Sequence, residues 1–201
     1  MQRSVNHDAL IFFPGAKPTP ECLADLQALT IVPRAAFTTV GPEKENMFAM
    51  ETPQFITVHH TGFPKPWLQD NFDATAQHLE EIRQLHCDDA GRKWADIGYH
   101  FAVDRMGRVW QLRDLRFQGA HVKNHNANNA GIVVLGNFDL QEPTAVQAAA
   151  LLTLVDFMTH AYGLANIYTH RQLADTPTNC PGRHLQHLMD QHTISFGKRS
   201  L

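Results

Sequence analysis

The sequence predicts a single α/β domain with a central mixed β-sheet flanked by α-helices, and three observations support this fold class. From residue 54 onward, short apolar runs alternate with longer segments of helical periodicity. Two runs, Phe55–Thr61 and Ile132–Leu135, are short and rich in β-branched residues, as buried strands are. Residues 98–112 carry the pattern of a β-hairpin. Together these elements predict one mixed sheet covered by helices.

The N-terminal quarter of the chain carries the fewest structural signals. Leu10–Phe13 is apolar and predicts a short strand that ends at Pro14-Gly15. The following segment predicts a helix over Cys22–Leu29, with Thr19 as its N-cap and Pro20 as its first helical residue.

The middle of the chain predicts a helix and then the hairpin. The helix spans about Asn71 to Cys87, and its apolar positions follow helical spacing: Phe72, Ala76, Leu79 and Ile82. Gly98–Asp104 and Arg108–Leu112 are the two arms of the hairpin. Gly107 lies in the turn between them, where a positive φ costs glycine little.

The C-terminal third predicts two helices that flank a short strand. The first helix runs from Thr144 to Tyr162, with Thr144 and Gln147 as a capping box and Gly163 after its last turn. Ile167–Thr169 is the short strand, and it leads directly into a histidine. A last helix is predicted over about Arg183 to Gln191.

Composition excludes several classes of protein. The chain has 201 residues, 43% hydrophobic and 18% charged, with a net charge of −3 and an isoelectric point near 6.5. A nucleic-acid or anionic-membrane binder would usually be basic. No apolar run approaches the roughly 18 residues of a membrane span. We therefore expect one globular domain with no nucleic-acid partner and no transmembrane segment, and we take a monomer as the default.

Neither cellular location nor disulfide pairing follows from the sequence. The first eight residues lack the apolar core of a signal peptide, so the protein either stays where it is made or acts with a leader that this sequence lacks. Three cysteines do not make a disulfide framework, and pairing of Cys22 with Cys87 stays open.

The strongest chemical signal is a possible metal site near the C-terminus. His170 and Cys180 lie ten positions apart, at the two ends of a polar loop, and imidazole and thiolate are both zinc ligands. A third ligand is expected from the pair His59-His60, because it ends a predicted buried strand, where α/β sheets place their sites. Alternation along a strand sends these two histidines to opposite faces, which favours a structural role for His60.

Several blocks of sequence, in order, resemble those of zinc-dependent N-acetylmuramoyl-L-alanine amidases, a family that shares its fold with phage lysozyme-type amidases and peptidoglycan recognition proteins. The blocks are Ile31–Phe37, His59-His60-Thr61, Asp96–Phe101, Gly119-Ala120-His121, Asn126, Gly131-Ile132, Gly136-Asn137-Phe138, His170-Arg171 and Thr178–Gly182. The resemblance implies a zinc amidase catalytic domain over residues 31–201. Residues 1–30 match nothing and form an extension of unknown role, packed behind the domain or shaping one end of its groove.

The resemblance also implies roles for individual residues. His59, His170 and Cys180 resemble the family's zinc ligands, so Zn²⁺ is the expected cofactor. Tyr99 resembles the active-site tyrosine, which could donate a hydrogen bond worth roughly 3 kcal/mol to a developing oxyanion. Thr178 occupies a position that is lysine in some members and threonine in others, and it could hold the substrate carbonyl, more weakly than a lysine would. Three further residues fall in loops that resemble the substrate groove: His121, Asn126 and Asn137.

Some features have no such counterpart. His100 follows Tyr99 on the chain. Because neighbouring side chains on a strand face opposite ways and Tyr99 should face the site, His100 is expected to have a structural role. The loop between His170 and Cys180 is longer than in many recognition proteins, which should alter the groove wall more than the metal site. No aspartate or glutamate stands out as a general base.

Three functions follow as hypotheses. The first is zinc-dependent hydrolysis of the amide bond between N-acetylmuramic acid and L-alanine, in peptidoglycan or in muropeptides. The second is a module that binds peptidoglycan without cutting it. The third is another zinc amide hydrolase on this scaffold. Non-catalytic relatives typically lack the cysteine ligand, so Cys180 favours an enzyme.

Overall fold

A computed structural model describes residues 7–88, 92–164 and 166–199, with side chains from residue 10 to residue 192. The strands are β1 (Thr30–Val32), β2 (Phe55–His60), β3 (Phe101–Val103), β4 (Arg108–Gln111), β5 (Asn129–Val134) and β6 (Asn166–Thr169). The helices are α1 (Pro20–Ala28), α2 (Phe72–Cys87), α3 (Ala145–Tyr162), α4 (His170–Leu173) and α5 (Arg183–Arg199). They form one sheet with helices on both faces, which confirms the predicted fold class.

The six strands are ordered β1-β4-β3-β5-β2-β6. Only the hairpin pair β3–β4 is antiparallel among the strands described, so the sheet is mixed. Strand β2 lies between β5 and β6 and is parallel to both, with Val58 opposite Thr169. Parallel strands of this kind are covered on both faces, which explains why β2 and β5 are buried along almost their whole length.

Two apolar clusters fill the space on either side of the sheet. One lies under α1 and α3 and includes Ile56 and Val58 of β2. The other lies under α2 and includes Val133 of β5, the residue opposite His59. Because side chains alternate along a strand, His59 faces the α2 side and His60 the α3 side.

The predicted strand at Leu10–Phe13 is wrong. A 3₁₀ helix covers His7–Phe12, and the backbone N–H of Phe13 donates to the Leu10 carbonyl at 2.9 Å. A short apolar run does not distinguish a strand from a helical turn. Strand β1, which pairs with β4 at the edge of the sheet, was not predicted.

The segment predicted as an N-terminal extension packs against α3, on the face of the sheet away from His59. The Phe13 ring stacks on Phe101 with 5.1 Å between centroids and meets Phe157 edge-on at 4.8 Å. The Tyr162 hydroxyl donates to the Pro14 carbonyl at 3.1 Å. A boundary at residue 30 stays a prediction, but the side chains before it belong to the same core.

We expect Phe13→Ala to lower the free energy of unfolding by about 3–5 kcal/mol, because it removes a ring that is 2% exposed from the core. Urea unfolding followed by circular dichroism measures the change. Ile11→Ala is the control, since Ile11 is 73% exposed and should cost at most about 0.5 kcal/mol. If Phe13→Ala lowers the free energy of unfolding by less than about 1 kcal/mol, the N-terminal segment contributes little to the stability of the fold.

Most of the other predicted elements are confirmed, with two differences in detail. Thr19, Asn71 and Thr144 cap their helices through their side chains, and Gly107 has φ 75° in the hairpin turn. The Gln147 side chain donates to the Val103 and Leu135 carbonyls, so only half of the predicted capping box forms. Helix α5 runs to residue 199, beyond the predicted end. Among the described residues, no helix is long and apolar enough to cross a membrane.

Candidate metal centre

The ends of two neighbouring parallel strands bring two histidines together. His59 is the last residue but one of β2, and His170 follows directly on β6 as the first residue of α4. The carboxyl ends of parallel strands meet at one edge of a sheet, the usual place for a site in such folds. The ring centroids of His59 and His170 are 4.6 Å apart.

The loop after α4 carries Cys180 back to the same edge. The Arg171 backbone N–H donates to the Cys180 carbonyl at 3.0 Å, and the Cys180 N–H donates to Thr178 Oγ1 at 3.2 Å. The backbone N–H of His60 donates to Cys180 Sγ at 3.4 Å. These bonds hold the thiol 3.7 Å from His59 Nδ1.

His59, His170 and Cys180 therefore form one cluster, in which their three ligand atoms lie within 4.8 Å of one another. The cluster opens into a cavity of about 400 Å³, which we call the metal cavity. Two nitrogens and one sulfur suit zinc, and three protein ligands leave a fourth position open, as in catalytic zinc sites. The sequence-predicted set is thus brought together, and its chemistry fits the expected metal.

Burial controls the protonation of this cluster. It lowers the pKa of His59 well below its usual range and lowers that of His170, so both imidazoles are neutral, the form that binds a metal. Burial also raises the pKa of the Cys180 thiol to about 12. A thiolate here therefore needs a cation beside it, and metal binding would release the proton.

Tyr99 lies next to the cluster, just before β3. Its ring centroid is 5.2 Å from that of His59, and the side chain lines the metal cavity. Burial, and then the charge of Cys180, raise the pKa of Tyr99 well above its usual range. The hydroxyl is therefore a hydrogen-bond donor at any physiological pH.

His121 lies beside His59, in the loop before β5. The distance from His121 Nδ1 to His59 Nε2 is 3.0 Å, and His121 is 9% exposed. Its ring also borders a second cavity, which Tyr99 and His170 line as well. A role for His121 in substrate binding stays a prediction, and its contact with His59 was not predicted.

The neighbouring histidines His60 and His100 have partners in the framework. His60 Nδ1 accepts from the Phe138 N–H at 3.2 Å, on the opposite face from His59. His100 Nδ1 accepts from the Gly131 N–H at 2.9 Å, and its Nε2 contacts the Phe117 carbonyl at 2.9 Å. Both placements agree with the structural roles expected for them.

The remaining predicted residues hold loops around the site. Asn126 Oδ1 accepts from the backbone N–H groups of His121 and Val122, both at 2.9 Å. Asn137 Nδ2 donates to the Phe63 carbonyl at 2.8 Å. Asn137 and Thr178 line the metal cavity, and Asn126 lines the second cavity. Contact of these three side chains with substrate stays a prediction.

Three residues at the site were missed by sequence reasoning. Asp139 lines the metal cavity, and its Oδ1 accepts from the Arg183 N–H at the start of α5. Arg92 and Lys123 add positive charge to the second cavity, which measures about 570 Å³. Each lies in a loop, where no periodic pattern points to a site.

One carboxylate joins the loop between His170 and Cys180 to the loop that borders the second cavity. Asp175, in the loop between His170 and Cys180, accepts from Asn124 Nδ2 at 2.7 Å and contacts His125 Nε2 at 3.0 Å. We call this contact the Asp175 clasp. It ties the loop that carries Cys180 to the loop that carries His121.

The fold and the donor set define an α/β domain with a three-ligand site suited to zinc. A family model described as N-acetylmuramoyl-L-alanine amidase matches residues 49–183. The chain belongs to this family.

Relatives and solved structures agree with this assignment. Human N-acetylmuramoyl-L-alanine amidase is 35% identical over 135 residues, which cover 64% of this chain and 22% of that protein. The chain spans between 21% and 25% of the length of three mammalian relatives. Drosophila peptidoglycan recognition protein SD has a TM-score of 0.70 at 26% identity, covering 81% of this chain and 94% of that one. Peptidoglycan recognition protein LE, with a TM-score of 0.71 at 22% identity over 81% and 93%, shares the fold.

Proposed function

We propose that this protein is a zinc-dependent amidase that hydrolyses the bond between N-acetylmuramic acid and L-alanine in peptidoglycan or muropeptides. The observation that carries the proposal is the cluster of His59, His170 and Cys180 with Tyr99 beside it, at the edge of an open cavity. A module that only binds would have no need of three converging ligand atoms.

The residues of the cavity divide the chemistry among them. Zinc, when bound by His59, His170 and Cys180, supplies Lewis acidity toward an amide carbonyl and a water molecule. The Tyr99 hydroxyl, held protonated by burial, donates a hydrogen bond to the oxygen that becomes negative as the carbonyl is attacked. Thr178 already accepts from the Cys180 N–H, so its own hydrogen is directed to a second acceptor, for which a substrate carbonyl is suited.

The relatives indicate two different functions for the same fold. The human relative is named an amidase, whereas recognition protein LE is described in complex with tracheal cytotoxin, a monomeric diaminopimelic acid-type peptidoglycan. Both names point to peptidoglycan as the substrate class. The three-ligand cluster favours the hydrolase for this chain.

The test is the release of L-alanine N-termini from purified peptidoglycan and from muropeptides, with added zinc and with a chelator. Zinc-dependent release supports the amidase. If the protein retains peptidoglycan in a pull-down but releases no N-termini, it is a binding module. Hydrolysis of simple acyl-amino acids, with none of peptidoglycan, would indicate another amide hydrolase.

We expect Asp175→Ala to raise KM for peptidoglycan by at most about fivefold and to leave kcat unchanged. The clasp is solvent-exposed, and exposed polar contacts of this kind contribute little. Its loss would loosen the groove wall without moving the ligand atoms. Steady-state kinetics measures the effect, with Asp114→Ala as a control for removal of an ion-paired aspartate elsewhere. A fall in kcat would show that the clasp positions the metal site.

A further inference from the structure

The contact between His59 and His121 determines which nitrogen of each ring carries hydrogen. His121 Nε2 lies 3.2 Å from the Asn129 carbonyl, and a carbonyl only accepts. In a neutral ring, His121 Nε2 therefore carries the hydrogen and Nδ1 is a bare acceptor. His59 Nε2, 3.0 Å from that acceptor, must then be the donor.

This order of donors leaves His59 Nδ1 without a hydrogen. Nδ1 is the atom that lies 3.7 Å from Cys180 Sγ, on the side of the three-ligand cluster. The opposite tautomer would direct an N–H at the metal position and would prevent coordination. A ligating histidine commonly has its other nitrogen bonded in this way, and the partner sets both tautomer and ring orientation.

The chain is built to hold the His121 ring at this position. A Cβ added at Gly119 would lie 2.4 Å from His121 Cδ2, and one added at Gly131 would lie 2.6 Å from the same atom. Only glycine at these two places leaves room for the ring. The His121 backbone is fixed as well, since its N–H donates to Asn126 Oδ1.

We infer that His121 is a positioning residue, which holds His59 in the tautomer whose Nδ1 can bind the metal. The inference rests on the proposed function, because it takes His59 as a zinc ligand. It gives His121 a role behind the ligand, where the resemblance implied a contact with substrate. His121 acts through His59 and needs no contact with the reacting atoms.

Two variants separate positioning from bulk packing. His121→Phe fills the space but has no acceptor, whereas His121→Asn places Oδ1 close to the former Nδ1 and keeps the acceptor. We expect His121→Phe to weaken zinc binding by about 10–100-fold, as the loss of outer partners generally does. His121→Asn should recover most of that loss. His187→Phe, at an exposed position of α5, is the matched control and should bind zinc as the wild type does.

The measurements are zinc affinity by chelator competition and the tautomer of His59 by long-range ¹H–¹⁵N NMR of the zinc-free protein. Wild-type protein should carry the hydrogen on His59 Nε2, and His121→Phe should not hold this tautomer exclusively. The inference is overturned if wild-type His59 carries its hydrogen on Nδ1, or if His121→Phe binds zinc as tightly as wild type. If His121→Phe does not fold, the wild-type NMR result decides.

The results that would contradict the proposed function differ from those that would contradict the role of His121. Wild-type protein that binds zinc but releases no L-alanine N-termini would refute the amidase and leave the role of His121 in place. Wild-type protein that binds no zinc would refute the metal centre and would overturn the inference about His121 as well.

Discussion

Cys180→Ala is expected to abolish amide hydrolysis. The substitution removes one of the three proposed zinc ligands, and the two remaining imidazoles cannot replace the thiolate charge. Losing a direct ligand should cost more zinc affinity than the roughly 10–100-fold that follows loss of an outer partner. Zinc content after dialysis and release of L-alanine N-termini should therefore fall together.

Cys87→Ala is the matched control for this variant. Cys87 is also a free, partly buried thiol, but it ends α2 and does not line the metal cavity. It should keep wild-type zinc content and activity. Hydrolysis that survives in Cys180→Ala at wild-type rate, with or without chelator, would show that the reaction does not use this centre.

Tyr99→Phe is expected to lower kcat by about 10²–10³-fold while zinc binding stays unchanged. The change removes the hydroxyl that we propose as a donor to the developing oxyanion, and loss of one such donor has this magnitude. The aromatic ring remains against His59, so the ligand should keep its position. Single-turnover kinetics on a muropeptide, together with zinc affinity, separates the two effects.

Tyr162→Phe provides the comparison for Tyr99→Phe. Its hydroxyl is also held in a partly buried position, but it donates to the Pro14 carbonyl on the α3 side. Removing this hydroxyl should lower the free energy of unfolding and leave kcat unchanged. If both tyrosine variants lose activity equally, the Tyr99 effect is structural, and a role as oxyanion donor is contradicted.

Elements could be predicted from the sequence where their local pattern agrees with the global fold. Strand β2 is β-branched, apolar and bounded by turn residues, so its position could be predicted, and with it the place of His59 at the edge of the sheet. Helices α1, α2 and α3 each follow an N-cap Thr or Asn whose side chain accepts from the first turn. These signals lie within a few residues of one another on the chain.

Contacts that depend on distant segments could not be predicted in this way. Leu10–Phe13 has the composition of a strand, but Phe13 turns into the core between Phe101 and Phe157, and no periodicity within four residues reveals that. The bond from His59 to His121 joins residues 62 positions apart. It depends on the register of β2 against β5 and on the path of one loop, which only the folded structure defines.

The pairing of β2 with β6 has a consequence for how the protein matures. Val58 pairs with Thr169, so the strand that bears His59 acquires its outer neighbour only when a late part of the chain has been made. Parallel pairings between distant segments form slowly, since a long loop must close first. During synthesis, the nascent chain would therefore expose one edge of β2 to solvent and to chaperones. An ion that binds the proposed centre would then be captured last, by an almost completed fold, and its uptake would mark the end of folding.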